Sequence, residues 1–169
     1  MKRMETERLI ITEFTMDMAE DVHKNSLDED VRRFVPDEVF ETVEEAGETL
    51  TFLISRYRSP EGPFVYPVLL KAGRTNIGYV QLAQVSDGWE IGYHITKAYT
   101  RMGYAAEAVK AFLPAIMKER HLKQVWGICV SENLASRKVM EKCGFTKMFE
   151  GIGPYQGQER SICRYLYTE

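Results

Sequence analysis

The chain has 169 residues, 44% of them hydrophobic and 28% charged, with a net charge of only −3. Those totals fit one globular domain spanning residues 1–169 with a sizeable core, and they argue against a disordered tail or a fibrous repeat. No run approaches membrane-spanning length, and no basic tract is interleaved with aromatics as nucleic-acid binding would need.

The N-terminus, Met-Lys-Arg-Met-Glu-Thr-Glu, lacks the apolar stretch of a signal peptide. Cys129, Cys143 and Cys163 are scattered and form no Cys-x-x-Cys pair, so neither a disulfide framework nor a metal site is expected. They read as small buried hydrophobes in a reducing, cytoplasmic setting. Charge is unevenly placed: Asp17 to Glu48 holds twelve acids against three bases, a net of −9, and the rest carries +6. That asymmetry suits either a cationic acceptor beside an anionic ligand or simply solvated helix faces.

In chain order, Arg8 to Phe14 (RLIITEF) reads as an opening strand. A helix follows from Thr15 or Asp17, and Asp28 to Phe34 predicts a second, stopped by Pro36. Thr42 with Glu45 makes a capping box for a third helix, whose apolar face is Leu50, Leu53, Ile54 and Tyr57. Phe64 to Lys71, Ile77 to Gln84 and Trp89 to Thr96 then form an antiparallel meander, and Pro67 marks an edge or a bulge. A long helix from Ala105 carries Val109, Phe112, Leu113, Ile116 and Met117 on one face, and Pro114 is expected to bend or divide it. Val125 to Val130 reads as a parallel strand buried on both faces. Asn133 caps a last helix that ends at Gly144. Thr146 to Gly151 and Arg160 to Tyr167 close the chain as a hairpin, joined by a flexible loop that includes Gly151 to Tyr155.

The densest chemistry lies in WEIGYHITKAYTRMGYAAE, Trp89 to Glu107. A strand feeds a loop containing Gly103, and the loop feeds a helix N-terminus. Unpaired amides and the macrodipole there favour an anion, although Gly103 reads equally well as an ordinary turn residue. Neither the P-loop nor the GxGxxG pattern is present, which argues against ATP or NAD as the owner of the phosphate.

The run YTRMGYAAEA resembles motif A of the GNAT acyltransferase superfamily. Gly103 and Ala105 match the Gln/Arg-x-x-Gly-x-Gly/Ala pattern, and Thr100 and Arg101 depart from it. SENLASRKVMEKCGF, Ser131 to Phe145, resembles the Asn-x-x-Ser…Gly-Phe signature of the same superfamily. METERLIITEF and EIGYHI resemble its branch of Rim-type ribosomal-protein N-terminal acetyltransferases. The resemblance implies an α+β fold, with a mixed, mostly antiparallel sheet of about six to seven strands and helices on both faces. It implies acetyl-coenzyme A as donor and no metal. The pyrophosphate would lie on the amides of Arg101, Met102, Gly103, Tyr104, Ala105 and Ala106. Free amides of His94, Ile95 and Thr96 would hold the pantetheine, where the strands Trp89–Thr96 and Val125–Val130 splay apart. Asn133 would bond the pantetheine arm, and Ser136 would lie near the thioester.

Acetyl transfer to an amine needs a base and a proton donor for the leaving thiolate. Glu90 and Glu150 are the carboxylate candidates; Ser136 and Tyr155 are candidates for the donor. Each has a plainer role open to it: exposed strand residue for Glu90, helix-cap hydroxyl for Ser136, loop aromatic for Tyr155. The expected acceptor is a small-molecule amine or a peptide N-terminus. An exposed strand edge also allows a homodimer. The alternatives are a non-catalytic coenzyme A-binding sensor, or a structural domain in which Gly103 and Asn133 are only turn and cap.

Overall fold

The computed structural model describes residues 3–169. Eight strands form one sheet: β1 (Met4–Glu5), β2 (Leu9–Ile11), β3 (Phe64–Leu70), β4 (Asn76–Val85), β5 (Gly88–Ile95), β6 (Gln124–Val130), β7 (Thr146–Tyr155) and β8 (Gln158–Thr168). Their spatial order is β1-β2-β3-β4-β5-β6-β8-β7, and only β5 and β6 run parallel. The sheet is thus mixed and mostly antiparallel, as expected, with the two-residue β1 as the strand that sequence patterning missed. The helices are α1 (Ala19–Ser26), α2 (Glu29–Phe34), α3 (Val43–Arg56), α4 (Tyr104–Arg120) and α5 (Leu134–Lys142).

Strand alternation assigns the two faces. Phe64, Tyr66 and Val68 of β3 and Ile91, Tyr93 and Ile95 of β5 join the main core with Ala108, Val109, Phe112, Leu113, Ile116 and Met117 of α4. On the opposite face Val65 packs with Phe14 and Leu50 in a smaller cluster, supported by Val22 of α1 and Leu53 of α3. Helices therefore cover both faces, but the layer under α1 and α3 is the thinner one.

Local signals explain most boundaries. Asp28 caps α2, its Oδ1 accepting from the Asp30 amide at 2.9 Å, and Pro36 follows as a helix stop. Thr42 Oγ1 accepts from the Glu45 amide at 3.1 Å, while Glu45 returns to the Glu41 amide, one residue before the cap. Pro67 sits just past the point where β2 stops pairing, since Val68 is the last partner of Ile11, so its missing N–H deprives no neighbour.

Four expectations are corrected. The opening strand stops at Ile11, because the Phe14 amide is drawn away to the Tyr57 hydroxyl at 3.0 Å. α4 runs through Pro114 as one helix, so the proline does not divide it, and core contacts hold its buried face. β6 alternates: Val125, Gly127 and Cys129 are buried, whereas Trp126 and Ile128 are half-buried, so only one face is fully covered. Gly151 to Tyr155 is strand rather than loop, paired with β8 as far as Tyr155↔Gln158. The turn is only Gln156-Gly157, both at positive φ, as a two-residue hairpin requires.

Candidate active site

The parallel pair β5–β6 has only two register positions, Glu90↔Trp126 and Ile91↔Gly127. Beyond them β5 runs on to Ile95 beside β4, and β6 runs on to Val130 beside β8, with no further pairing between the two. A wedge therefore opens in the middle of the sheet. The Thr96 amide donates to Ile77 O at 2.9 Å, on the β4 side. By alternation the amides of Tyr93 and Ile95 face the wedge. Of the three amides expected to be free, that of Thr96 is committed and that of His94 faces β4, leaving Ile95; Tyr93 was overlooked.

At the mouth of the wedge stands the N-terminus of α4. Gly103 is its N-cap, at φ 83°, a left-handed conformation that favours glycine. No side chain caps it, so the first-turn amides of Tyr104, Ala105 and Ala106 have no acceptor within the helix. Arg101 also takes positive φ, at 63°, and Met102 is exposed, so the loop turns its backbone rather than its side chains toward the helix axis. This geometry fits a pyrophosphate: a strong anion on unpaired donors, with no side chain in the way.

Arg8 and Glu107 fix this end of the helix. The Glu107 carboxylate accepts from Arg8 Nε at 2.8 Å, from the Arg8 amide at 3.1 Å and from the Thr6 hydroxyl at 2.5 Å. Arg8 Nη1 also donates to Met102 O at 3.0 Å, and its guanidinium lies 4.3 Å above the Tyr104 ring. Burial would raise the Glu107 carboxyl, but the bonds from Thr6 and Arg8 outweigh it and hold the group below its ordinary value. Sequence reasoning missed this clasp, since its partners lie in different elements.

α5 closes the other wall. Asn133 Oδ1 accepts from the Ser136 amide at 3.0 Å, the cap that was expected. Tyr93 crosses from β5 so that its hydroxyl lies 3.0 Å from Ser136 Oγ and donates to Ser136 O at 3.0 Å. Ser136 and Tyr93 thus place two hydroxyls together inside the wedge. Burial raises the Tyr93 hydroxyl pKa well above its ordinary value, so it remains protonated. Cys129 and Cys143 are pushed up to about 11, mainly by burial, so neither offers a thiolate at neutral pH.

The carboxylates separate cleanly. Glu90 is half-buried on the α1–α3 face, beside the last paired position of the wedge. Burial lifts its carboxyl to about 7, against the pull of the Arg164 guanidinium. Glu150 instead accepts from Lys147 Nζ at 2.5 Å and from Arg137 Nη1 and Nη2 at 3.2 and 3.3 Å. Those bonds, that of Lys147 foremost, hold it below its ordinary value. A carboxylate so held is a weak base, which argues against the role expected for Glu150. Tyr155 sits at the end of β7, its hydroxyl donating to Phe34 O at 3.4 Å and within reach of the charges of Glu90 and Glu38. Its pKa is raised to about 12, chiefly by burial and next by Glu90. The structure places Glu90 and Tyr155 on one face of the sheet and leaves Ser136 on the other.

Behind Glu90, on the same face, is a cavity of about 290 Å³ under α1 and α3. Its floor includes Tyr79, Gln81 and His94, and Glu38 reaches it from the single turn Pro36–Glu38.

A splayed parallel pair facing an uncapped helix N-terminus belongs to a class of acyl-transferring folds, and the comparisons agree. The chain belongs to the acetyltransferase (GNAT) domain family, whose model matches residues 8–146. An uncharacterized N-acetyltransferase, YnaD of Bacillus subtilis (strain 168), is 29% identical over 144 residues, 84% of this chain and 81% of that protein. The structure of an acetyltransferase (GNAT family) from Bacillus anthracis superposes with a TM-score of 0.82 at 26% identity, covering 99% of this chain and 98% of that one. RimL, a ribosomal L7/L12 alpha-N-protein acetyltransferase solved with coenzyme A, shares the fold with a TM-score of 0.84 at 14% identity, covering 99% and 98%. The chain is an acyltransferase that carries out acetyl transfer. Among the described residues no helix is long and apolar enough to cross a membrane.

Proposed function

We propose that residues 1–169 form one N-acetyltransferase domain that moves an acetyl group from acetyl-coenzyme A directly to a primary amine. The observation that carries this reading is the wedge itself: two paired positions, then open strands beside the free amides of Tyr104 to Ala106. In this reading acetyl-coenzyme A supplies an activated thioester, with its pyrophosphate on the α4 amides and its arm along the β5 amides of Tyr93 and Ile95. Asn133 keeps its Nδ2 for that arm, since Oδ1 is taken by the Ser136 amide. The C–N bond forms as the C–S bond breaks. The entering ammonium and then the forming amide each give a proton to Glu90, which passes them to solvent, and the leaving sulfur takes a proton through the Ser136–Tyr93 hydroxyl pair, which solvent restores.

Glu90 suits the base because burial brings its pKa close to neutrality, where an acceptor and its conjugate acid are both populated. Tyr155 belongs to the acceptor side rather than to the sulfur, because it lies on the face of the sheet that carries Glu90, opposite Ser136. The fold of RimL, and the amine chemistry in that protein's name, support amine acetylation and a likeness to the Rim branch. Three buried thiols without disulfides support a reducing cytoplasmic site of action. A homodimer formed along an exposed strand edge is compatible with this reading.

Acetyl-coenzyme A at about one hundred times its dissociation constant adds about 2.7 kcal/mol of stability. A melting-temperature shift with acetyl-coenzyme A but not with ATP or NAD, followed by thiol release on adding amines, is the expected result. No shift at millimolar acetyl-coenzyme A overturns the reading.

A further inference from the structure

We propose that Glu38 is the acceptor-recognising carboxylate and that the cavity beside it selects a compact primary amine with one apolar aromatic or branched aliphatic group. This rests on the acetyltransferase reading above and adds the acceptor class to it.

The first observation is the state of Glu38. Its side chain is folded inward from the Pro36–Glu38 turn, accepts from the Tyr79 hydroxyl and is bonded by the Gln81 side chain. Among the described residues it forms no ion pair, whereas Glu107 and Glu150 are met by Arg or Lys and Glu90 feels the charge of Arg164. A desolvated carboxylate without a cation is costly unless a ligand supplies the cation. Burial accordingly raises the Glu38 carboxyl pKa, with the bonds from Tyr79 and Gln81 opposing and Asp37 adding to it.

The second observation is register. Gln81 and Gly92 are paired neighbours on β4 and β5, and Glu90 follows on the same face of β5. Gln81 lies flat over Gly92; a Cβ there would come within 2.5 Å of Gln81 Nε2. Glu38, held by Gln81, therefore stands on the face of the sheet that carries Glu90, with Gln81 covering Gly92 between them, and the charges of both carboxylates reach the Tyr155 hydroxyl. An ammonium in the cavity is bound by Glu38, on the same face of the sheet as Glu90.

The third observation is what lines the cavity. At about 290 Å³ the cavity lies at the lower end of ligand-pocket size. Its walls are Phe14, Val22, Val31, Phe40, Leu53 and Val65. Three of its polar members are spent: Asn25 Nδ2 donates to Asn76 O at 3.0 Å, Asn76 Oδ1 accepts from the Gly78 amide at 3.1 Å, and Ser26 Oγ donates to His23 O at 2.8 Å, while Asp37 and Thr49 also border it. A sugar or a polyamine needs many polar partners along its length, and this surface has few to give. One polar atom, the buried Nε2 of His94, has no partner and can meet a single hydrogen-bonding atom on the acceptor.

The test titrates purified protein with phenethylamine, isopentylamine, spermidine, glucosamine and a short unblocked peptide, by calorimetry and by thiol release. The expected result is binding and turnover that favour the first two amines. Glu38→Gln is then expected to raise their KM at least about tenfold, the low end of losing a desolvated charge pair, while acetyl-coenzyme A affinity stays unchanged. A second variant, Leu53→Trp, fills the cavity without touching the carboxylates and should weaken phenethylamine binding. Higher kcat/KM for spermidine, glucosamine or the peptide overturns the proposal, as does an unchanged KM in Glu38→Gln. Absence of calorimetric binding of either apolar amine overturns it even if acetyl-coenzyme A binds. Loss of acetyl-coenzyme A binding alone counts against the acetyltransferase reading and leaves the amine titration intact.

Discussion

The guanidinium of Arg8 and the carboxylate of Glu107 meet across 99 positions of sequence, Nε to Oε2 at 2.8 Å and Nη2 to Oε2 at 2.6 Å. One partner belongs to the stretch that leads into β2, the other to the first turn of α4. Their contact ties the edge of the sheet to the helix end that faces the wedge. Arg8 also holds Met102 O, so the loop before Gly103 is fixed from the same point.

Glu107→Gln keeps the shape of this clasp and removes its charge. Acetyl-coenzyme A affinity is expected to fall about three- to tenfold, equivalent to about 0.7–1.4 kcal/mol, as the loop loosens. The melting temperature should fall as well. The sign with pH follows from the depressed carboxyl: its stabilisation is present above the unfolded value and is lost as pH falls through the lower folded value. Calorimetric titration and melts between pH 3 and pH 8 check both, and a melting change without an affinity change would reduce the clasp to a purely structural role.

Glu90→Gln is expected to lower kcat/KM about 10²- to 10⁴-fold, the usual range for a general base, without changing acetyl-coenzyme A affinity. The parent's pH–rate profile should rise through an apparent pKa of about 7, and that limb should vanish in the variant. Stability runs the other way. A carboxyl raised on folding resists ionisation, so its cost grows as pH rises from the unfolded value through about 7 and is full above that. The variant should therefore melt higher than the parent at pH 8 and close to it at pH 4.

Glu150→Gln is expected to leave kcat/KM within about twofold, since its carboxylate is engaged by Lys147 and Arg137 and is a weak base. A hundredfold loss with a displaced pH profile would return the base to Glu150.

Gly103→Ala adds one methyl where the backbone has φ 83°. Its new Cβ would meet only Arg8 Nη2, at 3.6 Å, so the cost is backbone strain rather than a clash, about 1–2 kcal/mol. Denaturant melts should show that loss, and acetyl-coenzyme A binding should weaken as the first-turn amides shift.

Much of the fold was legible in the residues. The period-two run around Tyr93, the capping groups of Thr42 and Asn133 and the glycine at position 103 are local signals, and local signals survive folding. The errors arose where a distant partner decided. Phe14 leaves the sheet because Tyr57 takes its amide, and Gly151 to Tyr155 is strand because β8 pairs with it throughout. The site was legible only in part for the same reason. The cap at Asn133 and the turn at Gly103 announce themselves by spacing, whereas the contacts of Tyr93, Glu38 and the Arg8–Glu107 clasp join partners 43, 41 and 99 positions apart.

The sequence by itself determined the order of elements, the helix ends and the resemblance to acetyltransferases, because caps, turns and hydrophobic period are short-range properties. Only the tertiary structure sets the two candidate carboxylates apart. Glu90 and Glu150 are the same side chain in the sequence. Burial raises the first toward neutrality against the pull of Arg164, and two cationic neighbours hold the second ionised.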